Sequence, residues 1–397
     1  MRRRGLMRGA TALALPGAPA AAQPAGAEPL EPILAPLRTA HGLPALAAAV
    51  VREGHIVAAG ATGTRRAGTD IPVTVSDRFH IGSDTKAMTA TLAGIEVEAG
   101  RLGWDSTVGA LFPEASASLD PGFRAVTLAQ FLSHTSGLPS DDAAFLDLIL
   151  RALGPEPGDD LNLDELRAWM LAQWGRRPLA AAPGARFAYA NMNYVIAGAM
   201  IERSAGRSWE ELIVERIFTP LGLASAGLGP ASSPGRVDAP LGHARRPDGT
   251  LKPILAGPNA DVPATLAPAG AVHLSVLDFA AWAGWNAGLG RRGRPLITPA
   301  TLRLLQTPRI TMAPRAGGPA APGGYGFGWG VVEEQFARGP IVTHTGSNTL
   351  NLAMVMMQPA QDFALVVATN CAGPPADAAL RALAAALFAR DGAPRGG

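Results

Sequence analysis

Ile81-Gly82-Ser83-Asp84-Thr85-Lys86 runs directly into Ala87-Met88-Thr89-Ala90-Thr91-Leu92. Met88, Leu92, Ile95 and Ala99 recur at helical spacing, so the stretch reads as a turn entering a buried helix. On such a helix Ser83 and Lys86 share one face about one turn apart. Gly82 permits close backbone approach. A nucleophile at a helix start has backbone N–H groups and the positive dipole end beside any oxyanion it creates. The outline is a serine acyl-enzyme site with an amine as base. S-x-x-K also describes an ordinary helix start with a solvated lysine, so the reading needs partners elsewhere.

Two further stretches supply them. Tyr189-Ala190-Asn191 precedes a helical stripe of Tyr194, Ala197, Ile201 and Ala205, with Gly206 as the stop. A tyrosine there presents its hydroxyl to a cleft, and Asn191 donates and accepts hydrogen bonds beside it. The competing reading is a tyrosine in the domain wall and an asparagine helix cap. Val342-Thr343-His344-Thr345-Gly346-Ser347-Asn348 precedes apolar runs at 352–357 and 363–368, neighbouring strands joined through Pro359-Ala360-Gln361-Asp362. A strand ending in Gly346 and Ser347 offers backbone N–H groups to a substrate along its edge. His344 and Thr345 are suited to hydrogen-bond a carboxylate or carbonyl.

The order S-x-x-K, Y-x-N, H-T-G resembles the serine β-lactamase and penicillin-binding family, in particular the branch of class C β-lactamases, D-Ala-D-Ala carboxypeptidases and related esterases. Leu132-Ser133-His134-Thr135-Ser136-Gly137-Leu138-Pro139 and Tyr325-Gly326-Phe327-Gly328-Trp329-Gly330 are similar to family landmarks, and the match runs from about Leu34 onward. The resemblance implies Ser83 as nucleophile and Lys86 as its activating partner, with an amine pKa lowered by burial. It implies Tyr189 as proton relay, and leaves open whether Lys86 or Tyr189 takes the first proton. Asn191 then holds the lysine and the substrate amide. The resemblance further implies an oxyanion hole formed by the N–H groups of Ser83 and Ser347, with His344, Thr345 and Gly346 lining the substrate. His134 is implied as a scaffold hydrogen-bonder. Two departures stand out: His344 where many β-lactamases carry lysine, which makes the hold on a carboxylate weaker and pH-sensitive, and Ala190 where serine is frequent.

The implied fold is α/β (α+β): an antiparallel sheet flanked by helices, beside a mostly helical lobe, with the cleft between. The chain has 397 residues and is 48% hydrophobic, enough for a large core. No linker, charge block or repeat divides it, so residues 28–397 read as one catalytic domain with the helical lobe at about 89–222. Strands are expected at 45–59 (a hairpin turning at Arg52-Glu53-Gly54), 328–332, 341–344, 352–357 and 364–368. Helices are expected at 163–174, 209–218 and 377–390. The Pro/Gly-rich stretches 225–269 and 307–324 read as loops shaping the cleft rim.

Several chemistries are unsupported. The sequence has no G-x-S-x-G, no H-E-x-x-H, no paired cysteines and no phosphate-cradling glycine loop, so neither a metal nor a cofactor is expected. His41, His55, His80, His243 and His273 are scattered and read as structural or solvated. Arg2-Arg3-Arg4-Gly5-Leu6-Met7-Arg8 resembles a twin-arginine export motif, and Ala20-Ala21-Ala22 a cleavage site, giving a signal at 1–22 and a periplasmic or secreted protein. Cleavage there removes four arginines and no acid, taking the net charge from +2 to −2. No basic stripe for nucleic acid remains. No later run of about 20 apolar residues suggests a stable membrane span. The single Cys371 excludes an internal disulfide. The expected function is an exported serine hydrolase acylated on Ser83, acting on a small-molecule or peptide substrate: D-amino-acid peptides or β-lactams. The alternatives are a carboxylesterase using the same residues and a non-turnover penicillin-binding or sensor protein.

Overall fold

The computed structural model describes residues 24–157, 161–257, 259–313 and 322–392; the expected signal at 1–22 lies outside them. Two strands, Ala45–Arg52 and His55–Gly63, form the N-terminal hairpin. Its turn residues Glu53 and Gly54 take φ of 51° and 75°, the two-residue geometry that matches strand twist. The C-terminal strand Phe363–Thr369 pairs antiparallel with Ala45–Arg52, Leu365 opposite Val50, so the two ends of the chain meet in the middle of one sheet. From there the order continues through Leu352–Gln358, Ile341–Ser347, Gly330–Val332, Gly323–Tyr325 and Ile310–Met312, while the opposite edge ends in the short parallel strand Glu28–Pro29.

The central strands read as nearly continuous apolar runs because helices cover both faces. Helices Glu31–Ala40 and Pro374–Asp391 cover one face, where Leu46, Val50, Leu365, Val367, Leu380, Leu383 and Leu387 pack. Helix Val276–Ala287 lies against the other, where Ala47, Ala49, Val355 and Val366 join the larger core of the helical lobe. The fold is the mixed sheet-and-helix architecture expected, with helices Leu163–Trp174 and Asn191–Ala205 in the lobe. Three details differ from the expectation. The 307–324 stretch contributes strands Ile310–Met312 and Gly323–Tyr325 at its ends instead of being loop throughout. The 225–269 stretch contains the hairpin Gly242–Arg245/Leu251–Ile254 and the short strand Gly227–Leu228. The 209–218 helix is α-helical only over Trp209–Ile213 and widens into a π-helical turn at Val214–Phe218. Among the described residues no helix is long and apolar enough to cross a membrane.

Candidate active site

Ser83 sits in a single 3-10 turn, Gly82–Asp84, that feeds helix Thr85–Glu98. The helix is buried around almost its whole circumference, so its polar side chains need internal partners. Thr89 Oγ1 donates to the Pro268 carbonyl at 2.7 Å, and Glu96 is held by Arg101, Arg216 and Ser204. Lys86 is fully buried, whereas Ser83 is only half-buried and remains reachable.

The Lys86 amine defines the site. Its Nζ lies 2.7 Å from Asn191 Oδ1, 2.7 Å from the Ala269 carbonyl and 3.0 Å from Ser83 Oγ. Asn191 cannot turn: its backbone N–H and its Nδ2 donate to Asp141 at 2.8 and 2.5 Å, which leaves Oδ1 facing Lys86. Asn191 Oδ1 and the Ala269 carbonyl accept and cannot donate, so they occupy two N–H bonds of the amine. The third direction meets a hydroxyl that can donate. Burial lowers the Lys86 pKa to about 7, against the opposing pull of the Asp141 and Asp84 carboxyls. A neutral amine with its lone pair on Ser83 is therefore well populated near neutral pH.

Tyr189 leads into helix Asn191–Ala205, which Gly206 ends in the left-handed conformation at φ 65°. Lys86 Nζ stands 4.9 Å from the centre of the Tyr189 ring and 5.4 Å from that of Tyr194. His134 backs Tyr189 with ring centres 4.3 Å apart. Its Nδ1 lies 3.0 Å from Asn193 Nδ2 and receives the Ala190 N–H at 3.3 Å, and its carbonyl receives that of Ala188 at 2.9 Å. The scaffold role expected for His134 matches these bonds. Burial, reinforced by Lys86 and His344, pushes its imidazole well below the usual range, so it stays uncharged beside Lys86.

The strand Ile341–Ser347 pairs with Gly330–Val332 only as far as Thr343. From His344 to Ser347 that edge has no partner strand among the described residues and runs past the nucleophile. Contact there is very close. A Cβ on Gly346 would overlap the Ile81 carbonyl and come within 2.5 Å of Ser83 N, and one on Gly82, at φ 51°, would collide with Ser347 N. The backbone around Ser83 and around Ser347 is thereby in direct contact. The pleat sends His344 and Gly346 toward the nucleophile turn and Thr345 and Ser347 to the other face, where both are exposed and Ser347 Oγ donates to the Asn351 carbonyl at 2.7 Å.

His344 itself is only 7% exposed. Its Nε2 lies 3.0 Å from the Tyr325 hydroxyl and its Nδ1 3.7 Å from Asp84 Oδ1. Asp84 is buried, and desolvation pushes its carboxyl pKa well above the ordinary range against the opposing pull of Lys86. Ser83, Lys86, Tyr189, Asn191, His344 and Gly346 thus fall within one neighbourhood, whereas the side chains of Ser347 and of Thr345, expected to hydrogen-bond a carboxylate or carbonyl, point to the other face of the strand. Sequence reasoning missed Asp141, Ala269, Tyr325 and Asp84 as participants. Tyr325 lay within a stretch already noted, but Asp141 and Ala269 carry no local pattern.

The sequence profile of the Beta-lactamase family matches residues 30–390. Penicillin-binding protein 4 of Amycolatopsis lactamdurans is 34% identical over 187 residues, 47% of this chain and 45% of that protein. Lovastatin esterase of Penicillium rubens is 28% identical over 205 residues, 47% of this chain and 49% of that protein. The chain thus aligns with about half the length of these two relatives. Among solved structures, an octameric penicillin-binding protein homologue from Pyrococcus abyssi superposes with a TM-score of 0.71 at 26% identity, covering 90% of this chain and 76% of that one.

Proposed function

The chain belongs to the β-lactamase family of serine hydrolases, and we propose that it works by forming an ester on Ser83. The observation that carries this is the Lys86 amine, whose two N–H bonds are taken by Asn191 Oδ1 and the Ala269 carbonyl while Ser83 Oγ lies 3.0 Å away. The lone pair takes the Ser83 proton as Oγ attacks a carbonyl carbon. The oxyanion so formed is met by the N–H groups of Ser83 and Ser347, each such donor being worth ~3 kcal/mol of transition-state stabilisation. Tyr189, against whose ring the amine rests, passes the proton to the leaving group. Water then hydrolyses the ester with the same groups in reverse order.

For substrate, we propose D-amino-acid peptides of cell-wall type or β-lactams. The full set of Ser83, Lys86, Tyr189, Asn191 and the open edge of 344–347 supports this, as does the likeness to penicillin-binding proteins. One observation favours a second reading, a carboxylesterase: the His344 imidazole is buried against Tyr325, so the strand presents little cationic surface to a substrate carboxylate. The esterase among the relatives points the same way. The twin-arginine-like start supports export ahead of catalysis.

The test is intact-mass analysis with benzylpenicillin, p-nitrophenyl butyrate and a D-Ala-D-Ala peptide, comparing the parent with Ser83→Ala. An adduct or turnover that vanishes in Ser83→Ala carries the acyl-enzyme, and the reagent consumed fastest identifies the substrate class. Undiminished turnover by Ser83→Ala would refute it.

A further inference from the structure

Asp261 lies in the 225–269 stretch, away from every motif discussed above, yet its carboxylate is bonded both to His80, just before the nucleophile turn, and to Asn348, just after the strand Ile341–Ser347. His80 Nε2 stands 3.0 Å from Asp261 Oδ2 and 2.9 Å from Oδ1. The other ring nitrogen, Nδ1, receives the Gly82 N–H at 3.0 Å. That bond fixes the tautomer: Nδ1 accepts, so Nε2 carries the proton and donates it to Asp261. On the opposite side Asn348 Nδ2 donates to Asp261 Oδ1 at 3.0 Å. Asn348 is itself fixed, because its Oδ1 receives the Asn351 N–H and Nδ2, both at 3.0 Å, and the Leu350 N–H at 3.3 Å. Asp261 Oδ1 also takes the Val262 N–H at 2.7 Å. A carboxylate with both oxygens bonded in this way is satisfied in its buried position.

Gly82 and Asn348 are the immediate neighbours of Ser83 and Ser347. One side chain therefore ties the residue before one proposed oxyanion donor to the residue after the other. We infer that Asp261 is a positioning residue that sets the spacing of the Ser83 and Ser347 N–H groups through His80 and Asn348. The inference rests on the oxyanion hole proposed above. Without the carboxylate the two segments remain in van der Waals contact through Gly82 and Gly346 but lose this hydrogen-bonded link between them.

Three variants and two controls test this. Asp261→Asn sets an amide N–H₂ against at least one of the groups that donate to the carboxylate. Asn348→Ala removes one arm and leaves the His80–Asp261 pair intact, so it decides the matter if Asp261→Asn does not fold. His80→Asn keeps an acceptor near the Gly82 N–H but is too short to span to Asp261. With p-nitrophenyl butyrate, kcat should fall about 10- to 100-fold in each variant, as expected for a displaced donor. KM should stay within about threefold of the parent. Phenylboronic acid, whose tetrahedral adduct on serine mimics the oxyanion, should lose affinity by the same factor as kcat. Melting temperature, followed in parallel, reports a purely structural role. Folded variants with a lower melting temperature but kcat and boronate affinity within about twofold of the parent would overturn the inference. Ser83→Ala separates the two levels. If it is inactive while Asp261→Asn is unimpaired, the positioning role alone fails; if Ser83→Ala keeps full turnover, the oxyanion hole and the role of Asp261 fail together.

Discussion

At the scale of single residues the chemistry turns on the protonation of Lys86. Its ammonium form cannot accept the Ser83 proton, and burial brings its pKa to about 7. The free enzyme's kcat/KM should therefore rise with pH along a single limb centred near 7, the side on which the amine is neutral. Lys86→Arg keeps positive charge at every accessible pH and should lose about 10³-fold in kcat/KM with no such limb. Asp141 gives a signed test of the cause. Its negative charge favours the charged lysine, so Asp141→Asn should move the midpoint of the limb below the parent value. It should also lower the plateau, because Asn191 loses one of the two acceptor oxygens that aim its Oδ1 at Lys86. A midpoint that moves upward, measured on the same substrate across pH 5 to about 9, would remove Asp141 from this account. The Ser83–Lys86 spacing was legible in the sequence because helical periodicity is local. Asp141 and Ala269 were not, since they reach the site across 50 and 183 positions through bonds with no sequence signature.

At the scale of elements, function depends on how closely the nucleophile turn approaches the strand Ile341–Ser347. Gly346 has no room for a side chain: a Cβ would overlap backbone atoms of Ile81 and crowd those of Ser83 and Asp84, none of which can rotate away. Gly346→Ala should therefore separate the two segments and lower kcat by at least ~10²-fold, since about 1 Å of misplacement carries such a loss. Gly206 is the control. It holds φ 65° at the end of helix Asn191–Ala205 with open space around it, so Gly206→Ala should cost only ~1 kcal/mol of stability and leave kcat unchanged. Equal losses of activity in the two variants, measured by steady-state kinetics on folded protein, would contradict the argument. Here the sequence was half legible. Strand residues 352–357 and 364–368 announced themselves by apolar β-rich runs, and Gly206 by its place after a helical stripe. Gly323–Tyr325 and Ile310–Met312 did not, because three-residue runs, one of them led by two glycines, are too short to show a period and only pairing with a neighbour makes them strands.

At the scale of the whole molecule, the sheet separates a catalytic face from a supporting one. The motifs at 83–86, 189–191 and 344–347 predict that distant parts of the chain must meet. The structure achieves this by setting the last strand, Phe363–Thr369, between the N-terminal hairpin and Leu352–Gln358. The helix Pro374–Asp391 then seals the side away from Lys86, burying Leu380, Leu383 and Leu387 against Leu46, Val50 and Leu365. Its Ala/Leu pattern was legible as a helix, but which face of the sheet it covers follows only from the register of the strands beneath it. This separation makes a definite prediction for Leu383→Ala. Removing a fully buried leucine from this layer should destabilise the protein by ~2–5 kcal/mol, seen as a lower urea midpoint with an unchanged m-value. The Lys86 environment lies across the sheet, and its desolvation comes from the helical lobe and the Ile341–Ser347 strand. The acid limb of kcat/KM should then keep its midpoint near 7 in the folded variant. A shifted limb would mean that loosening the rear layer reaches the amine through the sheet, and the supporting face would have to be counted as part of the active site.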